Sequence, residues 1–68
     1  MTLIQLKTLV KLMRGDMNSL SAQSAKLVLV DGLSQVEASI KLKTKPNTVN
    51  NGVKRYKEAN EEIRQAYL

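Results

Sequence analysis

The sequence predicts a small all-α domain, a bundle of four to five helices that contains a helix-turn-helix. Its 68 residues are the length of one domain. Hydrophobic residues make up 43% of the chain and aromatic residues only 3%, so the core must be built from aliphatic side chains, which suit packed helices. Apolar residues also recur at three- and four-residue spacing along most of the chain, as in helices buried on one side. We therefore predict a single domain over residues 1–68.

An N-terminal helix is predicted over residues 2–14. Its apolar stripe consists of Leu3, Leu6, Leu9, Val10 and Met13. Gly15 and Asp16 follow the last apolar residue. Because Gly tolerates the left-handed conformation that is common just past a helix C-terminus, we expect the helix to end there.

A core helix is predicted over residues 20–31, with Ser19 or Ser21 as its N-cap. Its apolar residues surround much of the helix, which places it at the centre of the bundle. Two β-branched valines leave a strand as an alternative for residues 27–30. Asp31 and Gly32 end the helix.

The helix-turn-helix is predicted over residues 34–57. Ser34 and Glu37 have the spacing of a capping box, which starts its first helix. Pro46 breaks that helix and starts the next, with Thr44 or Lys45 as the cap. The residues expected to pack where the two helices touch are Val36, Ala38, Ser39, Leu42, Val49 and Val53.

A C-terminal helical extension is predicted over residues 58–67. Val49, Val53, Tyr56, Ile63 and Tyr67 form one apolar seam, and Asn60 fills its remaining position. The favoured interpretation is that the seam packs back on the N-terminal helix. The alternative is a dimer interface formed by Tyr56, Asn60, Ile63 and Tyr67. The exposed remainder of the N-terminal helix is the other possible interface.

The outer face of the second helix of this motif is rich in Asn and Thr, which rank low in helix propensity. Asn can form two hydrogen bonds with the major-groove edge of adenine, and Thr can bond a base edge or touch a thymine methyl. The predicted base-reading residues are Lys45, Asn47, Thr48, Asn50, Asn51 and Lys54. The alternative is a solvated polar surface.

The charge is concentrated on the same segment. The chain carries a formal net charge of +5, and residues 41–57 contain six basic residues and no acidic one. Basic side chains beside a groove-reading helix neutralise phosphates and make affinity depend on salt. We assign phosphate contacts to Ser34, Lys41, Lys43, Thr44, Arg55 and Lys57.

Residues 25–56 carry a family resemblance. Ala25-Lys26 and the run Val28-Leu29-Val30-Asp31-Gly32, followed by Gln35, Leu42, Val49, Val53 and Arg55, resemble the DNA-binding region of the TrfB/KorA group of plasmid transcriptional repressors. More distantly, Gly32, Ser34 and Glu37 followed by Asn50-Asn51-Gly52 resemble the PapB group of adhesin-operon regulators.

The resemblance implies a homodimeric repressor that binds a palindromic double-stranded DNA operator and controls plasmid maintenance or transfer genes. It implies that Gln35 lies near a backbone phosphate and that Lys45, Asn47, Asn50, Asn51 and Lys54 lie on the reading helix. The chain departs from the usual motif at Lys43, where the turn has Gly, and at Ser39, where the first helix has Ala. It also lacks the separate C-terminal dimerisation region of the plasmid group.

Composition argues against other classes of protein. The chain has no Cys, His or Trp, so we expect no disulfide, no thiolate or imidazole metal site, no cofactor and no enzyme. The longest apolar run, residues 27–30, is too short for a membrane span, and we expect a cytoplasmic protein associated with the bacterial nucleoid or a plasmid.

The principal alternative is a basic helical protein-interaction module that binds nucleic acid only non-specifically. RNA binding ranks last, because both tyrosines lie away from the Asn cluster.

Overall fold

The structure, a computed structural model, describes residues 1–67 as an all-helical domain. The helices are α1 (Leu3–Leu12), α2 (Leu20–Ala25), α3 (Gln35–Lys41) and α4 (Pro46–Tyr67), and a π-helical segment (Lys26–Val30) continues α2 without a break. The predicted all-α class is confirmed. The predicted C-terminal helical extension over residues 58–67 forms the second half of α4, which runs through it uninterrupted. No helix among residues 1–67 is both long and apolar enough to cross a bilayer.

Side-chain caps fix where three of the helices begin. The Oγ of Ser19 accepts from the N–H of Ala22 at 3.2 Å. The Oγ of Ser34 accepts from the N–H of Glu37 at 3.1 Å, and the Glu37 carboxylate accepts from the N–H of Ser34 at 3.2 Å. The capping box is confirmed as predicted, and Ser19 is the one of the two predicted candidates that caps α2. A third, at Thr2 with Gln5, forms a capping box that the sequence analysis missed.

The end of α1 differs from the prediction. Arg14, not Gly15, takes the left-handed conformation, with a φ of 55°. A Cβ at Gly15 would lie 3.0 Å from the hydroxyl oxygen of Tyr56 and 3.2 Å from a methyl group of Val10, so a side chain here would have to displace these two side chains slightly. Gly15 therefore lies in a closely packed position.

The predicted core helix ends in a π-helical segment, so the strand alternative for residues 27–30 is wrong. The N–H of Asp31 donates to the C=O of Lys26 at 3.0 Å, and the N–H of Leu33 donates to the C=O of Leu27 at 2.9 Å. Between them Gly32 has a φ of 78°. The wide π-helical turns end the helix, and the left-handed Gly32 redirects the chain towards α3.

Two buried clusters form the core, and α4 contributes to both. One joins α1, α2 and α4 through Leu6, Leu9, Val10, Ala22, Ala25 and Tyr56. The other joins the π-helical segment, α3 and α4 through Leu27, Ala38, Val49 and Val53. The expected packing of Val36 against α4 is wrong, because its side chain is 58% exposed. Val36 lies two residues, about 200° of helix, from buried Ala38 and so faces outwards.

Helices α2 and α4 approach each other closely at Gly52, which lies on the face of α4 that packs on α2. A Cβ at this position would lie 2.9 Å from both the Cα and the carbonyl oxygen of Ser21. It would also lie 3.1 Å from the Cβ of Ser24. The two helices can therefore cross this closely only because residue 52 has no side chain.

Candidate nucleic-acid interface

A four-residue turn, residues 42–45, joins α3 to α4. The N–H of Lys43 donates to the C=O of Ile40 at 3.2 Å, and that of Thr44 donates to the C=O of Ser39 at 2.9 Å. These paired bonds define a Schellman motif, whose left-handed position is usually Gly. Here Lys43 occupies it, with a φ of 54°. The turn thus forms without the glycine, and the exposed lysine side chain projects from it.

The outer face of the first three turns of α4 is polar. It is formed by Asn47, Asn50, Asn51 and Lys54, which fall within about 100° of the helix circumference. Val49 and Val53 lie on the opposite face and are buried, at 0% and 7% exposure. We call these four residues the polar face of α4. Because the opposite side of the same turns is fixed in the core, the polar face has a defined orientation.

The other two predicted base-reading residues lie beside the polar face. Lys45 is exposed in the turn that precedes α4. Thr48 is half-buried, and the helical spacing puts it next to Gly52, on the side that packs against α2. The structure therefore groups Lys45 with the cations of the turn and separates Thr48 from the asparagines.

One side-chain hydrogen bond ties the polar face to α3. The Nε2 of Gln35 donates to the Oδ1 of Asn50 at 3.0 Å, across 15 residues of sequence. Gln35 is the first residue of α3, and Asn50 is half-buried in the second turn of α4. The bond orients the Asn50 amide and leaves its Nδ2 free to donate. Gln35 and Asn50 were predicted to have separate roles, and nothing in the sequence indicates that their side chains are in contact.

The predicted phosphate-binding cations are all exposed and surround the polar face. Lys41 and Lys43 lie at the end of α3 and in the turn. Arg55 and Lys57 lie on opposite sides of the polar face, since they are offset from its centre by roughly 90° and 70° of helix. Among residues 1–67, Lys54 alone of the basic residues between 41 and 57 lies within 4.0 Å of a carboxylate. That pair, with Glu58, is about two-thirds exposed and adds little stability.

The two hydroxyl groups that are predicted to contact phosphates differ in their exposure. Ser34 is exposed, and its Oγ accepts the capping bond from Glu37, which leaves the hydroxyl hydrogen free to donate. Thr44 is half-buried inside the turn. Ser34 and Gln35 lie together at the N-terminus of α3, where unpaired backbone N–H groups favour an anion.

The candidate dimer residues fall into two groups. Tyr56 is 2% exposed and packs in the core with Leu6, Leu9 and Val10, so it is not accessible to a partner. This packing on α1 is what the favoured interpretation of the seam expects for Tyr56. Asn60 is half-buried, Ile63 is 36% exposed and Tyr67 is 84% exposed. Tyr67 therefore does not pack on α1, and only the distal part of the seam is open.

An apolar groove that the sequence analysis did not predict lies between α1 and the distal part of α4. It is lined by Ile4, Gln5, Thr8, Leu9, Leu12, Asn60 and Ile63, and we call it the α1/α4 groove. Ile4 and Leu12 are 77% and 67% exposed. Ile4 and Leu12 lie outside the predicted apolar stripe of α1, and this is the one sequence signal that indicated their exposure.

No family model, no curated protein and no solved structure is significantly similar to this chain. The chemistry of the interface is therefore the basis for any functional assignment.

Proposed function

We propose that this protein is a sequence-specific double-stranded DNA-binding transcriptional regulator. In this proposal α3 and α4 act as a helix-turn-helix, and α4 lies in the major groove. The observation that carries it is the polar face of α4, whose amides, two exposed and one half-buried, lie opposite a buried valine pair and are surrounded by unpaired cations. A solvated helix surface needs neither the asparagines, which disfavour helix, nor the uncompensated charge.

The dimensions of this face fit direct readout. A helix about 10–12 Å across enters a major groove about 12 Å wide. From residue 47 to residue 54 the helix rises about 10 Å, enough to pass roughly three base pairs. An Asn amide presents the acceptor and donor that match adenine N6 and N7. Asn47 and Asn51 lie one turn apart and are free of side-chain partners among residues 1–67, so we propose them as the main adenine readers.

The Gln35–Asn50 hydrogen bond supports the proposal by preorganising the third amide. Because Oδ1 of Asn50 already accepts from Gln35, the orientation of Nδ2 is set before DNA arrives. Contacts fixed in advance lose less side-chain entropy on binding. Gln35 then serves two purposes: it holds Asn50, and with Ser34 it places donors near a phosphate at the N-terminus of α3.

The sign of the charge along α4 favours one docking orientation. Lys54, Arg55 and Lys57 follow the polar face, and the next charged residues are Glu58, Glu61 and Glu62. Carboxylates beside phosphates are repelled, so the distal half of α4 must leave the duplex. We infer that the N-terminal half enters the groove, with Arg55 and Lys57 directed towards the backbones on either side.

The resemblance to the TrfB/KorA group favours a more specific form of this proposal. In it the protein is a non-enzymatic repressor of plasmid-borne operons that binds a palindromic operator as a homodimer. It would act in the bacterial cytoplasm on the nucleoid or a plasmid. The PapB-like similarity points to the same class of protein.

The test is a fluorescence-anisotropy titration of duplexes carrying the region upstream of the protein's own gene, with scrambled duplexes alongside, at two salt concentrations. Asn51→Ala should weaken the preferred site by about 1–3 kcal/mol, roughly 5- to 150-fold, and leave scrambled DNA unchanged. Lys41→Ala should weaken both duplexes equally and reduce the salt slope by about one.

The matched control is Asn18→Ala, which removes the same amide from the exposed loop between α1 and α2 and should change neither affinity. Equal, salt-abolished binding of the unmodified protein to both duplexes would overturn the proposal. The chain would then be better described as a basic helical protein-interaction module.

A further inference from the structure

The α1/α4 groove is an uncovered apolar surface that adjoins the core at Leu9. Ile4 and Leu12 form one wall, Ile63 and Asn60 the other, and Thr8 lies between. Single exposed apolar residues are ordinary on a protein surface, whereas a contiguous set next to a groove marks a binding surface. The groove lies far along α4 from the polar face, since Ile63 is nine residues, about 13 Å of helix, beyond Lys54.

The distal end of α4 extends the same surface. Val49, Val53 and Tyr56 are buried, and the same spacing continues through Ile63 to Tyr67, which is 84% exposed. Ile63 and Tyr67 are four residues apart and lie on one face. They form an apolar ridge that continues the buried stripe of α4 into solvent and runs beside the groove.

Charged residues of both signs border the groove and the ridge. Residues 1–15 contain three basic residues, Lys7, Lys11 and Arg14, and no acidic one. On distal α4, Glu62 precedes Ile63, and Arg64 lies beside Ile63 and Asn60. Among residues 1–67 neither Lys7 nor Lys11 lies within 4.0 Å of a carboxylate. Lys11 directly precedes Leu12. Both elements needed for a self-complementary contact are therefore on one chain.

The chain exposes more surface than a compact monomer of its mass. A compact monomer of 7.6 kDa exposes about 4,300 Å². This chain exposes 4860 Å², and the distal half of α4, in which no residue is buried, contributes to the excess.

We propose that a second copy of this chain covers the groove. In a two-fold arrangement, the Ile63–Tyr67 ridge of each copy packs between Ile4 and Leu12 of the other, and Lys11 faces the partner's Glu62. Two-fold contacts of this kind are formed twice, by the same residues. The inference deepens the proposed function by naming the surface that joins the two copies. It also assigns the interface to α1 and distal α4.

The test is sedimentation equilibrium of the full chain without DNA, from micromolar to millimolar concentration. We expect a reversible monomer–dimer equilibrium. Leu12→Lys and Ile63→Lys should each raise the dissociation constant by at least about tenfold, because each places a charge in the contact. Lys11→Glu and Glu62→Lys should each weaken the dimer, and the double variant should recover affinity.

The matched control is Ile40→Lys, an apolar residue of α3 that is 72% exposed and lies outside the groove, and it should leave the dissociation constant unchanged. Thermal unfolding of each variant checks that it folds; Leu12, at 67% exposure, provides the test even if Ile63→Lys is unstable. A chain that stays monomeric at millimolar concentration, or a dimer that tolerates Leu12→Lys, would overturn the inference. Since no DNA is present, either result is independent of whether the polar face reads bases.

Discussion

The two halves of α4 have the same apolar spacing and opposite environments. In the first half, residues 46–56, Val49, Gly52, Val53 and Tyr56 are buried. In the second half, residues 57–67, no residue is buried, and every residue from 61 to 67 is exposed. The spacing of apolar residues therefore specified which face of the helix is apolar. Whether that face is covered depends on α1, α2 and α3, whose buried residues surround the first half.

The outward faces of the two halves differ as well. The first half presents amides and cations, and the second presents Glu58, Glu61 and Glu62. A single rigid helix thus connects a surface suited to a polyanion with one that repels it. If both proposals hold, α4 transmits the geometry of the dimer directly to the polar faces, with no flexible linker between them.

The largest expected effect comes from the two tyrosines, which are 11 residues apart on the same face of α4. Tyr56→Ala should remove about 3–5 kcal/mol of the free energy of unfolding, since a ring packed at 2% exposure is lost from the core. Tyr67→Ala should change it by less than about 0.5 kcal/mol, because Tyr67 is 84% exposed. Urea denaturation followed by circular dichroism, at concentrations where the chain is monomeric, measures both.

Tyr56→Ala is expected to leave much of this small domain unfolded, so Tyr56→Leu, which retains part of the volume, provides a measurable intermediate loss. Equal losses for Tyr56→Ala and Tyr67→Ala would show that the second half is packed like the first.

Gly52→Ala should have the next largest effect on the free energy of unfolding. It should lower this free energy, although helix propensity alone predicts an increase. Ala normally stabilises a helix interior over Gly by about 1 kcal/mol. Here the added methyl would meet the Ser21 backbone at 2.9 Å, so we expect a net loss of about 1–3 kcal/mol as α2 and α4 are forced apart. Asn51→Ala, one residue earlier and exposed, is the control and should be neutral or slightly stabilising. A stabilising Gly52→Ala would mean that the helices are not in close contact there.

Local sequence rules predicted much of the fold. The Ser19 cap, the Ser34–Glu37 capping box and the start of α4 at Pro46 depend on neighbouring residues alone, and all three are confirmed. The π-helical segment, the roles of Gly15 and Gly52, and the exposure of Val36 were not predicted. Each depends on which helix passes nearby, and periodicity carries no information about that.

In the candidate site, too, local spacing was predictable from the sequence and packing between helices was not. The helical spacing of residues 47, 50, 51 and 54 indicated a shared outward face, and the structure places them together. The Gln35–Asn50 bond, the shift of Thr48 towards α2 and the burial of Tyr56 depend on how α3, α2 and α1 pack on α4. Amphipathic spacing could not separate the covered part of the seam from the ridge at Ile63 and Tyr67.

The smallest expected effect concerns the turn that fixes where the first half of α4 begins. Lys43 has a φ of 54°, a conformation that costs a residue with a Cβ about 1 kcal/mol relative to Gly. Lys43→Gly should therefore raise the free energy of unfolding by up to about 1 kcal/mol, reduced by the greater freedom of Gly in the unfolded chain. Lys41→Gly makes the same chemical change two residues earlier, at the last residue of α3, and should lower the free energy of unfolding by up to about 1 kcal/mol.

If urea denaturation gives changes in the free energy of unfolding of opposite sign for these two substitutions, the backbone of the turn, and not the loss of a lysine, determines the effect. The same pair separates stability from binding. Both variants lose one proposed phosphate contact, so both should weaken DNA binding similarly at low salt even though one is more stable and the other less. If Lys43→Gly destabilised the chain as Lys41→Gly does, residue 43 would not be left-handed. The orientation of α4, and with it the direction in which the polar face points, would then have to be redrawn.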